Sequence, residues 1–261
     1  MNGKLSILLE LAVPLLATLP VSCSIKEDRS GCPSEYRLQF SGPDKTIGSG
    51  YSFAAAGTGV RDGFVYRGGR QTRVYDIRRG RVDLFAWCGW DGNPEYRIEK
   101  GDCCDSIYTA RKTVMCSGES LRDSLVLHKD FVTLFISLEC STDGESLSLT
   151  VEAPFCGIDA GSGELLEGPC RFNPEIECTR NLLTSSARIP RQKEGFRILF
   201  CDASGLVCGE YEFGPGEAAA AGFSWEEENL EDLSISGFYS SGKMTFNVET
   251  WDDGGASGIE L

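Results

Sequence analysis

The nearest match to a catalytic motif in this chain is a phosphate-binding loop. Gly237-Phe-Tyr-Ser-Ser-Gly-Lys-Met244 has the required glycine and lysine spacing, but Met244 stands where the loop needs a hydroxyl for magnesium. A strand-like alternation follows, and not the helix whose N-terminus would hold phosphate. We therefore predict a β-hairpin with its turn at Ser241-Gly242. In a hairpin, the Ser-x-x-Lys pair Ser240 and Lys243 has no catalytic meaning, because that motif acts from a helix.

Other catalytic and metal-binding patterns are weak. The only histidine, His128, lies in a polar connection, and we predict a solvated linker residue there. One histidine leaves little scope for Ser-His-Asp or Cys-His catalysis. No Cys-x-x-Cys or Cys/His grouping indicates a metal site, and no cofactor motif is present. A glycosidase carboxylate pair stays open from the sequence alone, but no motif supports a hydrolase. We predict no enzyme and no catalytic residue.

Cys23 is the residue to which we assign covalent chemistry. It follows a mostly apolar stretch from Leu5 to Leu19 and the small residues Val21 and Ser22. This is the layout of a bacterial lipoprotein signal peptide, residues 1–22. The mature chain would begin at Cys23 with acyl chains on its sulfur and nitrogen, each buried methylene adding about 0.8 kcal/mol of membrane affinity.

Two leader residues depart from the usual lipoprotein pattern. Glu10 lies in the apolar stretch, and Pro20 stands where leucine is usual. The alternative is a secretory leader cut near Ser22 or Ser24. A membrane-spanning helix is less favoured, because it needs about 20 apolar residues.

Charge is unevenly distributed along the chain. The formal net charge of −14 disfavours nucleic acid as a partner. Residues 209–261 hold twelve acidic residues against one lysine, whereas residues 61–81 hold seven arginines against two aspartates. This asymmetry indicates electrostatic steering between neighbouring subunits or toward an acidic glycan, or else two solvated surfaces.

Twelve cysteines are many for a chain of this length. If Cys23 is acylated, the other eleven cannot all pair internally, so at least one thiol stays free. Cys88 and Cys140 occupy apolar strand positions that suit buried thiols. Export to an oxidising compartment would permit some disulfides, so we expect a mixture whose connectivity is open.

Period-2 alternation predicts an all-β fold built of sandwiches. The predicted strands lie at 82–88, 124–127, 131–140, 147–151, 196–200, 206–213 and 244–248. Short helical turns are predicted only at 217–221 and 225–233, the second capped by Ser224. His128-Lys129-Asp130 marks a boundary between two domains, 23–128 and 129–261, with one extended sandwich as the alternative. No internal sequence repeat is visible.

Aromatic residues between 87 and 96 are candidates for sugar binding. The rings of Trp87, Trp90 and Tyr96 could stack on a glycan. Core packing is the favoured interpretation for Trp87, whereas Trp90 beside the turn at 91–94 suits either role. A surface lipoprotein that binds glycans through Trp90 and Tyr96 is the alternative function.

Three segments carry a resemblance to a known family. They are Cys23-Ser-Ile-Lys-Glu-Asp-Arg-Ser-Gly-Cys-Pro33, Gly80-Arg-Val-Asp-Leu-Phe-Ala-Trp-Cys-Gly89 and Phe246-Asn-Val-Glu-Thr-Trp251. With the strand at Phe131, the chain resembles the FimB-type fimbrillin-like lipoproteins, which are anchor and minor subunits of type V fimbriae.

The resemblance implies fold, location and partners together. It implies two tandem transthyretin-like β-sandwich domains, a lipid on Cys23 that holds the protein at the cell outer membrane, and no enzymatic activity. Its implied partners are fimbrillin-type pilus subunits, and its implied role is cell adhesion. A strand from one subunit would complete a sheet of the next by β-strand addition.

Overall fold

The computed structural model describes residues 32–43, 48–141, 147–240 and 243–251. The predicted leader and Cys23 lie outside the described residues. Within the described part the chain is nearly all β, with one short helix, α1 (Pro215–Ala220). That helix has neither the length nor the apolar character to span a bilayer, and no other helix occurs in these ranges.

The first half of the described chain forms two sheets. Its strands are β1 (Ser34–Ser41), β2 (Gly50–Ala55), β3 (Val60–Val65), β4 (Gln71–Ile77), β5 (Gly80–Cys88), β6 (Glu95–Arg97), β7 (Tyr108–Cys116), β8 (Ser120–Val126) and β9 (His128–Lys129). One sheet has the order β4-β1-β8, with β1 antiparallel to β4 and parallel to β8. The other is antiparallel, with the order β3-β2-β5-β7-β9.

The second half also forms two sheets. Its strands are β10 (Phe131–Cys140), β11 (Ser148–Asp159), β12 (Leu165–Phe172), β13 (Ile176–Thr179), β14 (Leu182–Pro190), β15 (Phe196–Cys201), β16 (Val207–Phe213), β17 (Asp232–Ser240) and β18 (Lys243–Trp251). One sheet has the order β13-β14-β10-β17-β18, with β10 parallel to β17. The other has the order β12-β11-β15-β16, and β6 from the first half also pairs with β11.

The two halves repeat one topology. The equivalent strands are β1 and β10, β2 and β11, β3 and β12, β4 and β14, β5 and β15, β7 and β16, and β8 and β17. In each half the first strand lies between an antiparallel and a parallel neighbour. We call the two halves the N-terminal and C-terminal sandwiches.

Alternating apolar side chains build a core in each sandwich. On β1, Tyr36, Leu38 and Phe40 are buried, and on β10 the same spacing buries Leu134 and Ile136. Each large side chain removed from water contributes about 1.5–3 kcal/mol, so these two strands are the central supports of their cores. Residues 33–261 nevertheless form one compact unit, and the domain division at residues 128–129 stays a prediction.

The strand predictions are confirmed, and one helix prediction is wrong. β5, β8, β10, β11, β15, β16 and β18 lie where alternation placed strands, and α1 overlaps the helical turn predicted at 217–221. Residues 225–231 form turns, and β17 begins at Asp232. The Arg191 guanidinium draws the carbonyl groups of Trp225, Glu227 and Glu228 toward itself, so these groups are directed away from helical hydrogen bonds.

Candidate functional site

Uncovered sheet edges distinguish the N-terminal sandwich from the C-terminal one. In the sheet β4-β1-β8, no strand of the described residues covers the outer edge of β4 or of β8. Their equivalents β14 and β17 are covered by β13 and β18. An edge strand offers a row of unpaired N–H and C=O groups that can pair with another chain. The N-terminal sandwich therefore carries two candidate docking edges.

Strand β4 pairs with β1 along one side, and no described strand pairs with its other side. The Tyr75 hydroxyl donates a hydrogen bond of 2.9 Å to Asp62 Oδ2, which ties β4 to β3. Burial raises the pKa of Tyr75, and Asp62 raises it further, so the phenol stays a donor. The Arg73 guanidinium lies 4.7 Å from the centre of the Phe64 ring. Val74 is 55 % exposed.

The edge of β8 is partly occupied by its own side chain. Asp123 Oδ1 accepts a hydrogen bond of 2.7 Å from the Ser124 N–H, and Oδ2 accepts one of 2.8 Å from the Tyr36 hydroxyl. Lys112 Nζ also donates to Asp123. Burial opposes ionisation of this carboxyl, but the hydrogen bonds from Lys112, Ser124 and Tyr36 outweigh it and lower the pKa of Asp123.

Positive charge concentrates in the segment of the chain that contains β3 and β4. Seven arginines lie in this segment, at positions 61, 67, 70, 73, 78, 79 and 81. No ion pair joins any of them to a carboxylate within the described residues. Of the two aspartates nearby, Asp62 already accepts the Tyr75 hydroxyl. Of the seven, Arg73 lies on β4 itself and Arg61 on β3; we call this arginine-rich segment the arginine flank.

The acidic segment of the C-terminal sandwich is organised by Arg191. Its Nε donates to Asp130 Oδ1 at 2.8 Å, and the guanidinium also donates to the carbonyl groups of Trp225, Glu227 and Glu228. The glutamate side chains at 226, 227 and 228 are left exposed. The opposite charges read from the sequence therefore lie on different sandwiches.

Strand β6 joins the two sandwiches by strand addition within the chain. It pairs antiparallel with Gly157–Asp159 of β11, and the Ile98 N–H donates to the Cys156 carbonyl at 2.9 Å. A Cβ on Gly157 would overlap the Tyr96 carbonyl oxygen, so only glycine permits this approach. β6 was not predicted, because a strand of three residues is too short to show alternation.

The aromatic residues proposed for sugar binding are packed. Trp87 is 2 % exposed and contacts Ala54 and Ala160, so it lies on the outer face of its own sheet against the C-terminal sandwich. Tyr96 is 5 % exposed. Trp90 is half-buried, and its indole N–H donates to the Asn93 carbonyl at 2.9 Å. The core packing predicted for Trp87 is confirmed, whereas the open ring that the glycan alternative requires is not found at Tyr96.

A cleft of about 1070 Å³ lies between the two sandwiches. Both basic side chains that line it have partners: Lys129 Nζ pairs with Asp232, and Arg188 donates to the Ser106 hydroxyl at 2.7 Å. Tyr108 and Phe131 line it but are each 5 % exposed. The basic side chains of the cleft are therefore already engaged in contacts within the protein.

The remaining chemical candidates take structural positions. The hairpin predicted in place of a phosphate loop is confirmed, since Ser240 and Lys243 face each other across β17 and β18. His128 is wrongly predicted as a solvated linker residue: it belongs to β9, pairs with Thr109 of β7, and is half-buried. No cluster of His, Cys, Asp and Glu suited to a metal occurs within the described residues.

No disulfide joins the eleven cysteines of the described ranges, so the expected disulfides are not found among them. Cys88 and Cys140 are buried, as their strand positions predicted. Burial raises the pKa of Cys170 to about 12 and that of Cys88 above its usual value, which keeps these thiols protonated and unreactive.

Comparison with solved structures places this architecture among fimbrial and adhesin-like proteins. The fimbrial anchor protein Mfa2 of Porphyromonas gingivalis matches with a TM-score of 0.63 at 10% identity, over 84% of this chain and 98% of that one. This chain shares its fold with a fimbrial anchor protein. The resemblance drawn from the sequence is therefore confirmed at the level of the fold.

Two proteins of Bacteroides thetaiotaomicron match similarly. One is described as a candidate polysaccharide-binding protein (TM-score 0.65, 10% identity, 85% of this chain and 99% of that one). The other is described as a candidate adhesin (TM-score 0.59, 10% identity, 85% and 99%). No family model and no curated protein matches the sequence. At this identity the likeness concerns the fold.

Proposed function

We propose that this protein is a lipid-anchored fimbrial subunit, an anchor or accessory component, that docks fimbrillin-type subunits by β-strand addition in cell adhesion. The observation that carries the proposal is the fold shared with a fimbrial anchor protein over nearly the full length of that protein. The protein works by binding, without catalysis.

The uncovered edges of the sheet β4-β1-β8 support the docking mechanism. Backbone groups of a partner strand would pair with the edge, and alternate side chains would select the partner. Strand β6 supports it further, because a segment from one sandwich already extends a sheet of the other. The same backbone pairing between two chains is the proposed assembly step.

The lipid anchor rests on Cys23 at the predicted leader boundary. Several acyl chains at this residue would hold the protein at the outer membrane. Metabolic labelling with a palmitate analogue tests it: we expect label in the native protein and none in Cys23→Ala. Cys32→Ala is the matched control and should keep the label, since Cys32 lies nine positions beyond Cys23. Equal labelling of both variants would rule out the anchor.

Fimbrial assembly is tested by co-purification. Fimbriae sheared from cells that express a tagged form should bring this protein down with a fimbrillin-type subunit. Deletion of the gene should release fimbriae from the cell surface if the protein is the anchor. Fimbriae that assemble and stay attached without it, with no subunit recovered on the tag, would refute the proposal.

Glycan binding through Trp90 and Tyr96 is not retained as a second function. A sugar needs an open ring face, and Tyr96 is buried while Trp90 packs at 5.3 Å from it, centre to centre. A glycan array with the native protein and Trp90→Ala provides the check. Binding that disappears in Trp90→Ala would restore the alternative.

A further inference from the structure

We propose that the free edge of β4 accepts one antiparallel strand from a partner polypeptide, and that this strand alternates acidic and apolar side chains. The inference rests on the proposed function and specifies which of the two edges is used and what chemistry the partner carries. Three features of the molecule support it: the repeated topology, the arginine flank, and the hydrogen bond that already occupies the Ser124 N–H on β8.

The C-terminal sandwich contains an added strand at the equivalent position. β4 corresponds to β14, and β13 lies antiparallel on the outer edge of β14, with Ile176 opposite Ser185 and Thr179 opposite Leu182. The fold therefore accommodates an extra strand at this place without changing the order of the others. In the N-terminal sandwich the same place is open within the described residues.

The charge of the flank selects an acidic partner. Arg61 on β3 and Arg73 on β4 are both exposed and have no carboxylate partner among the described residues. Arginine binds carboxylates through paired hydrogen bonds, and charges within about 8 Å act at physiological ionic strength.

The side chains on the two faces of β4 determine which positions of the partner strand would be acidic and which would be apolar. Arg73 and Tyr75 oppose Leu38 and Tyr36, which face the core. Val74 points to the other face and is 55 % exposed. Side chains on neighbouring strands contact those on the same face. A strand beside β4 would therefore place acidic residues near Arg73 and apolar residues near Val74.

The β8 edge is the weaker candidate. Its Ser124 N–H is already bonded to Asp123, so an added strand would first have to displace that side chain. Asp123 is already paired with Lys112, so charge alone does not separate the two edges. The occupied N–H group is the feature that favours β4.

The test uses a capped synthetic peptide of alternating glutamate and valine, about as long as β4, with a lysine–valine peptide as control. Binding is measured by calorimetry and backbone pairing by amide hydrogen exchange of the whole protein. We expect the acidic peptide to bind and to slow exchange in β4 but not in β8. The lysine peptide should not bind, because it meets like charge.

Charge-reversing substitutions on β4 and on β8 are compared to separate the contribution of Arg73 from a general effect of charge. Arg73→Glu should weaken binding by about tenfold, while Arg122→Glu on β8, an equally exposed arginine of the same sheet, should leave it within about twofold. Circular dichroism confirms folding of both. Binding without protection of β4, protection of β8 instead, equal losses in both variants, or no binding would each overturn the inference.

Failure of this inference is separable from failure of the proposed function. If a fimbrial subunit co-purifies but protects β8 or another strand, assembly stands and the β4 assignment falls. If the acidic peptide protects β4 while no fimbrial subunit co-purifies, the edge chemistry stands and the fimbrial assignment falls.

Discussion

The N-terminal and C-terminal sandwiches share a topology but differ at their edges. Both place a central strand, β1 or β10, between an antiparallel and a parallel neighbour. The C-terminal sheet then adds β13 and β18, whereas in the described part of the chain the N-terminal sheet ends at β4 and β8. Two added strands therefore separate a sheet with covered neighbours from one with exposed edges.

The surfaces of the two sandwiches differ in the same direction. The N-terminal sandwich carries the arginine flank, and the C-terminal one carries the exposed Glu226, Glu227 and Glu228. Charge on an edge strand discourages unselective pairing and favours a partner of opposite sign. The two sandwiches therefore differ both in their sheet edges and in the sign of their exposed charge.

The largest expected effect comes from removing the charge that organises the C-terminal acidic segment. Arg191→Met leaves the buried Asp130 without its cation, and breaking a buried pair costs about 3–5 kcal/mol. Urea unfolding measures the loss. Arg197→Met is the control, because its ion pairs with Glu152 and Glu210 are on the surface and should cost about 0–1 kcal/mol. Similar losses in both variants would contradict a special role for Arg191.

The contact between the sandwiches is tested at Gly157. Gly157→Ala forces a Cβ against the Tyr96 carbonyl and should destabilise the protein by about 1–3 kcal/mol. Exchange of the Ile98 amide, which donates to Cys156, should quicken as β6 separates. Gly50→Ala meets open space and should change little. Unchanged exchange at Ile98 would mean that β6 does not join the sandwiches.

The smallest expected effect concerns the β8 edge and its pH dependence. Asp123→Asn weakens the hydrogen bonds from Lys112 and Tyr36 and should cost about 1 kcal/mol at pH 7. The folded pKa of Asp123 lies below its usual 3.8, so this stabilisation is complete above pH 3.8 and is lost as the pH falls through the folded value.

Unfolding measured across that pH range checks the sign. The native protein and Asp123→Asn should converge in stability as acid protonates the carboxyl. Asp76→Asn on β4, whose carboxylate is exposed, should stay within about 0.5 kcal/mol of the native protein throughout. A gap between native and Asp123→Asn that widens in acid would show that the pKa shift has the opposite direction.

The sequence pattern predicted an element correctly where neighbouring residues alone determine its structure. The alternation in residues 131–140 placed β10 correctly, because side chains of a strand point to opposite faces at every second residue. It failed at residues 225–231, where carbonyl capture by the distant Arg191 replaces helical bonding. It also failed for Tyr96, whose burial depends on pairing between β6 and β11.

The amino-acid sequence by itself determined the strand class, the hairpin at Ser240 and Lys243, and the segregation of charge. Only the tertiary structure decided that β1 pairs in parallel with β8, that β10 does so with β17, and that β4 keeps an open edge. The repeat is invisible in the sequence because equivalent strands need only apolar residues at alternate positions, which many sequences supply. Strand partners are chosen by contacts between distant segments, and local periodicity carries no record of them.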